Sequence, residues 1–284
     1  MLRFDLAELG KTRRREVVLP PIMDTVGSVT EAQRAIRAML RELAGEVRSD
    51  LLPAYEVDLA RLQSALTGDA GEYSDAALAR IKAIAARLGR IASELVNRIL
   101  RREAGRHTEK WKAQVRAALG IDLEAVVRQE DLSEGLDAAS KRSTSLITGL
   151  SEETAAGVEK LTRRALTQGM TANDLRKELT KQFGIADRRA KVIARDQLAT
   201  LNSDLNRLRH TQAGVTTYAW TTAHDERVRP LHRALDGRRY KYDEPTGAEG
   251  GLPPGQPIMC RCVARAVVEF DGEEFSGRAR RGSR

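Results

Sequence analysis

The sequence predicts an α+β protein that is predominantly α-helical: a helical N-terminal region, then a C-terminal domain of helices and a small antiparallel sheet. Three observations lead there. As far as Ala213, apolar residues recur at three- and four-residue steps, the period of amphipathic helices. Aromatics make up only 4% of the 284 residues, so the core must be built from Leu, Ile, Val and Ala, as in packed helices. After Gly214 the period drops to two, and Gly, Pro and aromatic residues accumulate, as strands joined by turns require.

At roughly 150 residues per domain the length suits two domains. Residues 1–30 alternate short apolar pieces with the basic cluster Lys11 to Arg15 and the pair Pro20-Pro21. They read as an extended basic arm and not as a packed element. A helical region over 31–150 opens with Ile36, Met39, Leu40, Leu43 and Val47 on one face, and Pro53 should interrupt or restart that helix. Ser74 or Asp75 can cap the next helix, whose stripe is Ile81, Ile84, Leu88, Ile91, Leu95 and Ile99. Short connections favour packing of that stripe against the Glu31–Val47 helix over binding of a partner helix. Trp111, Val115 and Leu119 mark a further helix stopped by Gly120, with Trp111 in the core.

The second domain, 151–275, starts near Ser151 with Val158, Leu161 and Leu166 on one face up to Gly169. Thr171 and Asp174 form a capping-box-like start for a short helix that Gly184 should end, followed by a helix from about Asp187 to Ala213. Val215 to Thr221 reads as a strand with Tyr218 and Trp220 on one face, and Asp236-Gly237 as a hairpin-type turn before Arg239 to Tyr242. Thr246 to Pro257 is a Gly/Pro loop. Cys260 to Phe270 is a strand whose phasing puts both cysteines on its apolar face. Residues 276–284 are a flexible basic tail.

Lys and Arg number 48 against 40 Asp and Glu, giving a formal charge of +8, which favours contact with a polyanion although both signs are interspersed. The basic ends, Arg13, Arg14 and Arg15 with Arg278, Arg280 and Arg281, suit non-specific neutralisation of duplex phosphates, or simply solubility. A dedicated DNA-binding protein using those arms is one alternative function. There is no apolar run long enough to span a bilayer and no signal-peptide core, so a soluble product made in the cytoplasm, with no membrane partner, is expected.

Chemistry concentrates between Tyr218 and Cys262, which holds two of the four histidines, one of the two tryptophans and both cysteines. Cys260, Cys262 and His232, with His224 or Asp225 as a fourth ligand, could take a structural zinc. Against this, Cys-x-Cys is not the usual Cys-x2-Cys spacing, and buried reduced thiols serve equally well as small core residues. No other cofactor is expected. A metal-dependent hydrolase built from His224, Asp225, Glu226 and His232 is a second alternative, but carboxylates interleaved with Arg227 and Arg229 are more simply a salt-bridge cluster. His107 and His210 sit on Arg-rich helical segments and read as solvated surface residues.

The residues Ile193 to Gln197, Ala213 to Val215, Tyr218 to Trp220, Asp225 to His232, Leu235 to Gly237, Pro253 to Gly255 and Cys260 to Cys262 together resemble the phage Mu protein F-like family of minor head or head morphogenesis proteins. The resemblance covers about 150–270. It implies a virion protein of the phage head, present in few copies near the portal vertex, contacting the portal or major capsid protein and acting in head assembly, genome packaging or DNA delivery. It implies no established enzymatic activity, and the short stretch after Phe270 is expected to leave no room for the toxin domain some relatives append. Trp220, Asp225, Arg227, Arg229, His232, Asp236 and Gly237 are then a structural network that fixes the irregular loops.

Overall fold

Long amphipathic stripes cannot be stable as isolated helices, and in the computed structural model they bury one another. The structure describes residues 2–10, 14–64, 71–129 and 131–270. A short helix α1 (Leu6–Leu9) and strand β1 (Glu16–Val18) precede α2 (Val26–Glu46). A π-helical turn, Val47–Leu51, leads into α3 (Leu52–Gln63). Then come α4 (Glu72–Leu119), α5 (Ser133–Gln168) and α6 (Ala172–Gln212). After α6 come β2 (Thr217–Thr221), α7 (Pro230–Leu235), β3 (Arg239–Lys241) and β4 (Val263–Glu269). This is the predominantly helical α+β class expected from the sequence, with the sheet in order β1-β4-β2-β3 and every pairing antiparallel.

The bundle is α2 to α6, and its core is aliphatic: Ile36, Leu43, Ile81, Leu88, Val96, Ile147, Val158, Leu198 and Leu205 are all buried in it. The α4 stripe packs within the chain as expected, against α5 as well as α2. Its centre is rotated, however. Ile91 and Leu95 are exposed, and the small residues Ala85 and Ala92 take the inner seam. Ser151 fits that close approach by donating its hydroxyl to the Ala85 carbonyl at 2.7 Å.

Helix boundaries differ from expectation where tertiary contacts supply the cap. Pro53 does restart the helix, and the wider π turn before it accommodates the missing N–H and the ring. Neither Ser74 nor Asp75 is the cap of α4, which begins before them at Glu72, because Asp58 of α3 accepts from the Ser74 N–H at 2.7 Å and so caps from another helix. Thr171 caps α6 as predicted, accepting from the Asp174 N–H at 3.2 Å. Gly184 does not end that helix. Its φ is not in the left-handed region that a glycine stop uses, and α6 runs on for 41 residues. Likewise α5 crosses residue 150 without a break, so the helical parts of the two sequence regions form one bundle.

The described residues among the first thirty are packed and do not form an arm. Phe4, Leu6, Val17, Leu19 and Ile22 are buried with Trp111, Val115, Leu119, Val215, Ala266 and Val268 in a second core. β4 requires a partner on each edge. β1 supplies one, with Val17 opposite Val268, and the Leu19 N–H extends it to the Ala266 carbonyl at 2.9 Å. Arg14 and Arg15 are exposed beside β1, whereas Arg13, Arg278, Arg280, Arg281 and the 276–284 tail lie outside the described residues.

Two histidines expected on the surface are buried between bundle and sheet. His107 Nε2 meets Asn206 Oδ1 at 3.1 Å, and His210 Nδ1 bonds the Tyr242 hydroxyl. Burial, reinforced by the Arg209 charge, drives both imidazoles toward the neutral form, His210 to about 3. The polar layer is fully enclosed because α4, α6 and the sheet converge there, a consequence of packing that an Arg-rich local sequence does not disclose.

Candidate functional site

The network forms where three short segments close on Trp220. Pro230, with its φ preset, opens α7, and the six-residue helix turns His232 and Leu235 inward. Asp236 stops the helix and accepts from the Thr222 N–H at 2.8 Å, tying its end to the end of β2. Gly237, at φ 75°, then donates its N–H to the Trp220 carbonyl at 2.8 Å. Asp236-Gly237 is therefore the exit from α7 into β3 and not a two-residue hairpin. The β2–β3 pairing is made nonetheless, with Tyr218 opposite Tyr240.

β4 starts at Val263, so the cysteines precede the strand instead of lying on it. Their burial comes from the loop that delivers them. Met259, with φ 58°, donates its N–H to Asp196 Oδ1 of α6 at 2.7 Å, and this turns Cys260 under α7. Both thiols are reduced and buried with Trp220, Leu235 and Ala248. Cys260 Sγ and Cys262 Sγ each lie 3.5 Å from His232 Nδ1, and the Cys262 N–H points at the Cys260 sulfur at 3.4 Å. On its far side His232 Nε2 meets Glu249 Oε2 at 2.6 Å, which orients the ring so that Nδ1 faces the sulfurs.

Mutual hydrogen bonding splits the two thiols. The Cys262 thiol donates to Cys260, and with the backbone N–H groups of Cys262 and Gly255 it lowers Cys260 to about 6. Cys262 is pushed up by its neighbour and by burial. The Trp220 indole N–H faces Cys262 and counters that rise in part.

Neither proposed fourth ligand joins this group. Asp225 forms a two-pronged pair with Arg261, 2.6 Å on the Oδ1 side, and also accepts from the Arg227 N–H at 3.1 Å. The Arg261 hydrogen bond holds its carboxyl below the usual range. His224 sits 3.7 Å from Asp236 and is largely exposed. Arg229 binds Glu249 at 3.1 Å and the Ile258 carbonyl, so one carboxylate serves both Arg229 and His232. Sequence reasoning passed over Glu249 and met Asp196 only as part of the Ile193–Gln197 piece, with no role given to it. Glu249 did carry a signal, as the only charged residue between Thr246 and Pro257. Around the trio, Arg227, Val228, Arg229, Met259 and Arg261 line a crevice of about 20 Å³, room for one water or ion and no more.

The loop seats on α6 through Gly255. Its φ is 91°, and a Cβ there would lie 3.1 Å from the Ala199 carbonyl oxygen and from Ser203 Cβ. Gly255→Ala is therefore expected to cost about 1–3 kcal/mol, read as a lower urea midpoint. An unchanged midpoint would mean that the loop seating adds nothing to stability.

Every one of these contacts falls within or beside residues 156–265, which match the family model described as phage Mu protein F like protein. That segment is a phage Mu F-like domain. The family points to phage head morphogenesis. An uncharacterized protein of Haemophilus influenzae is 28% identical to this chain over 179 residues, which is 63% of this chain and 40% of that protein. The chain thus spans less than half the length of the curated relative it matches. No solved structure matches it. Among the described residues, no helix is long and apolar enough to cross a membrane.

Proposed function

We propose that this chain is a minor structural protein of a tailed-phage head, positioned near the portal vertex and acting in head assembly, genome packaging or DNA delivery. The family match over 156–265 carries the reading. The site's construction supports it. The charges of Asp225, Arg229, Glu249 and Arg261 are spent on one another, and the crevice among them is water-sized, as suits a clasp that shapes a surface. Portal or major capsid protein is the proposed neighbour. The charge of +8 suits loose contact with packaged duplex DNA.

The test is deletion of the gene in the phage or prophage that carries it, with electron microscopy of the resulting heads and mass spectrometry of purified wild-type particles. Malformed, empty or non-infectious heads, and a few copies of the protein per wild-type particle, are expected. Normal, DNA-filled, infectious heads from the deletion would defeat the proposal.

A further inference from the structure

We propose that Cys260, Cys262 and His232 bind one zinc ion, through the two sulfurs and Nδ1, and that this ion locks α7 to the loop preceding β4. The three donor atoms lie within 4.8 Å of one another, all on buried residues. With Zn–S of about 2.3 Å and Zn–N of about 2.0–2.1 Å, the S···N edge of a tetrahedron is about 3.6 Å. Both sulfurs stand at 3.5 Å from Nδ1, so an ion fits with little rearrangement.

The orientation of the imidazole points the same way. Glu249, 2.6 Å from Nε2, holds the ring so that Nδ1 faces both sulfurs. The outer groups have the form of a metal site's surroundings: a carboxylate on the far nitrogen of the imidazole, and a backbone N–H on a sulfur. Two thiolates and an imidazole select a soft, tetrahedral ion over Mg or Ca. The water-sized crevice beside the trio provides the fourth position, held by a water. Loading releases the thiol protons to solvent.

The experiment uses the full chain, purified under reducing conditions and without chelators, with elemental analysis for zinc. Stripped protein is then titrated with Co(II), followed by thiolate-to-metal charge-transfer and d–d absorption. One equivalent of metal per chain with tetrahedral, thiolate-rich spectra is expected. Cys260→Ser and Cys262→Ser should each abolish stoichiometric binding, and Glu249→Gln should retain the site with about 10–100-fold weaker affinity. If the serine variants fail to fold, the wild-type chain decides. Zinc should slow alkylation of its two cysteines at least tenfold, and alkylation at the same rate with and without zinc would overturn the proposal. So would folded, reduced wild-type protein that takes up no Co(II) or zinc. Metal uptake is read on the isolated chain, so its outcome is separate from that of the head-assembly proposal.

Discussion

Trp220→Ala should lower the unfolding free energy by about 3–5 kcal/mol, the range for truncating a fully buried Trp. Trp220 has no exposed surface. Its ring meets His232 edge-on at 5.4 Å and Tyr240 at 6.3 Å, and it packs among Leu235, Ala248, Cys260 and Cys262. Its backbone is bonded on both sides, to the Arg238 carbonyl and the Gly237 N–H. A smaller residue therefore leaves a cavity that the surrounding loops cannot easily collapse to fill. Because β4 pairs with both β2 and β1, and the second core joins that sheet to α4, the loss should appear in one cooperative transition. Urea unfolding followed by circular dichroism measures it, and Trp220→Phe should recover most of the loss. A loss below about 1 kcal/mol would show that the clasp lies outside the cooperative core.

What could be read from the sequence were the features set locally. The change of period after Gly214 located β2 to within two residues, since alternating β-branched and aromatic residues have one favourable use. The Thr171 cap and the Gly120 and Gly169 stops were equally visible, because each depends on a few neighbouring backbone groups. What escaped was set by distant partners. Val17 gains its meaning from Val268, and Asp58 from the N–H of Ser74. His107 and His210 look like surface residues until α4 and α6 are brought together under the sheet.

The site divides along the same line. Rare residue types marked His232, Cys260 and Cys262, and the structure brings those three together. Strand phasing gave the correct burial for the cysteines for the wrong reason, since they lie on a turn governed by Asp196, more than sixty residues away in the chain. Asp225 was drawn into the ligand set by proximity to His224 and His232 in sequence, yet a guanidinium offers it two hydrogen bonds in a fixed fork. Glu249 took the orienting role instead.

Arg195→Ala should destabilise the protein by about 3–5 kcal/mol at neutral pH, as expected when one partner of a buried ion pair is removed. Arg195, in α6, places Nη1 2.8 Å from Asp24 Oδ2, and the two side chains are only 17% and 6% exposed. The pair anchors the segment between β1 and α2 to the helix that carries the phage Mu F-like match. Burial is the main influence on Asp24 and raises its pKa, while Arg195 opposes the rise more strongly than Lys110, and Glu103 adds to it. Removing Arg195 thus lifts the Asp24 pKa further above its unfolded value. A group raised in the folded state binds more protons folded than unfolded, so its contribution favours folding at low pH and is lost as pH rises through the folded pKa. The deficit of Arg195→Ala relative to wild type should accordingly be largest near pH 7.5 and shrink toward pH 5. Histidine and carboxylate effects common to both proteins cancel in that difference. Asp24→Asn combined with Arg195→Ala should recover at least 1 kcal/mol at pH 7.5, because the amide carries no charge to strand. A deficit that grows on acidification, or a double variant no more stable than Arg195→Ala, would show that the loss comes from packing of the arginine stem and not from the orphaned carboxylate.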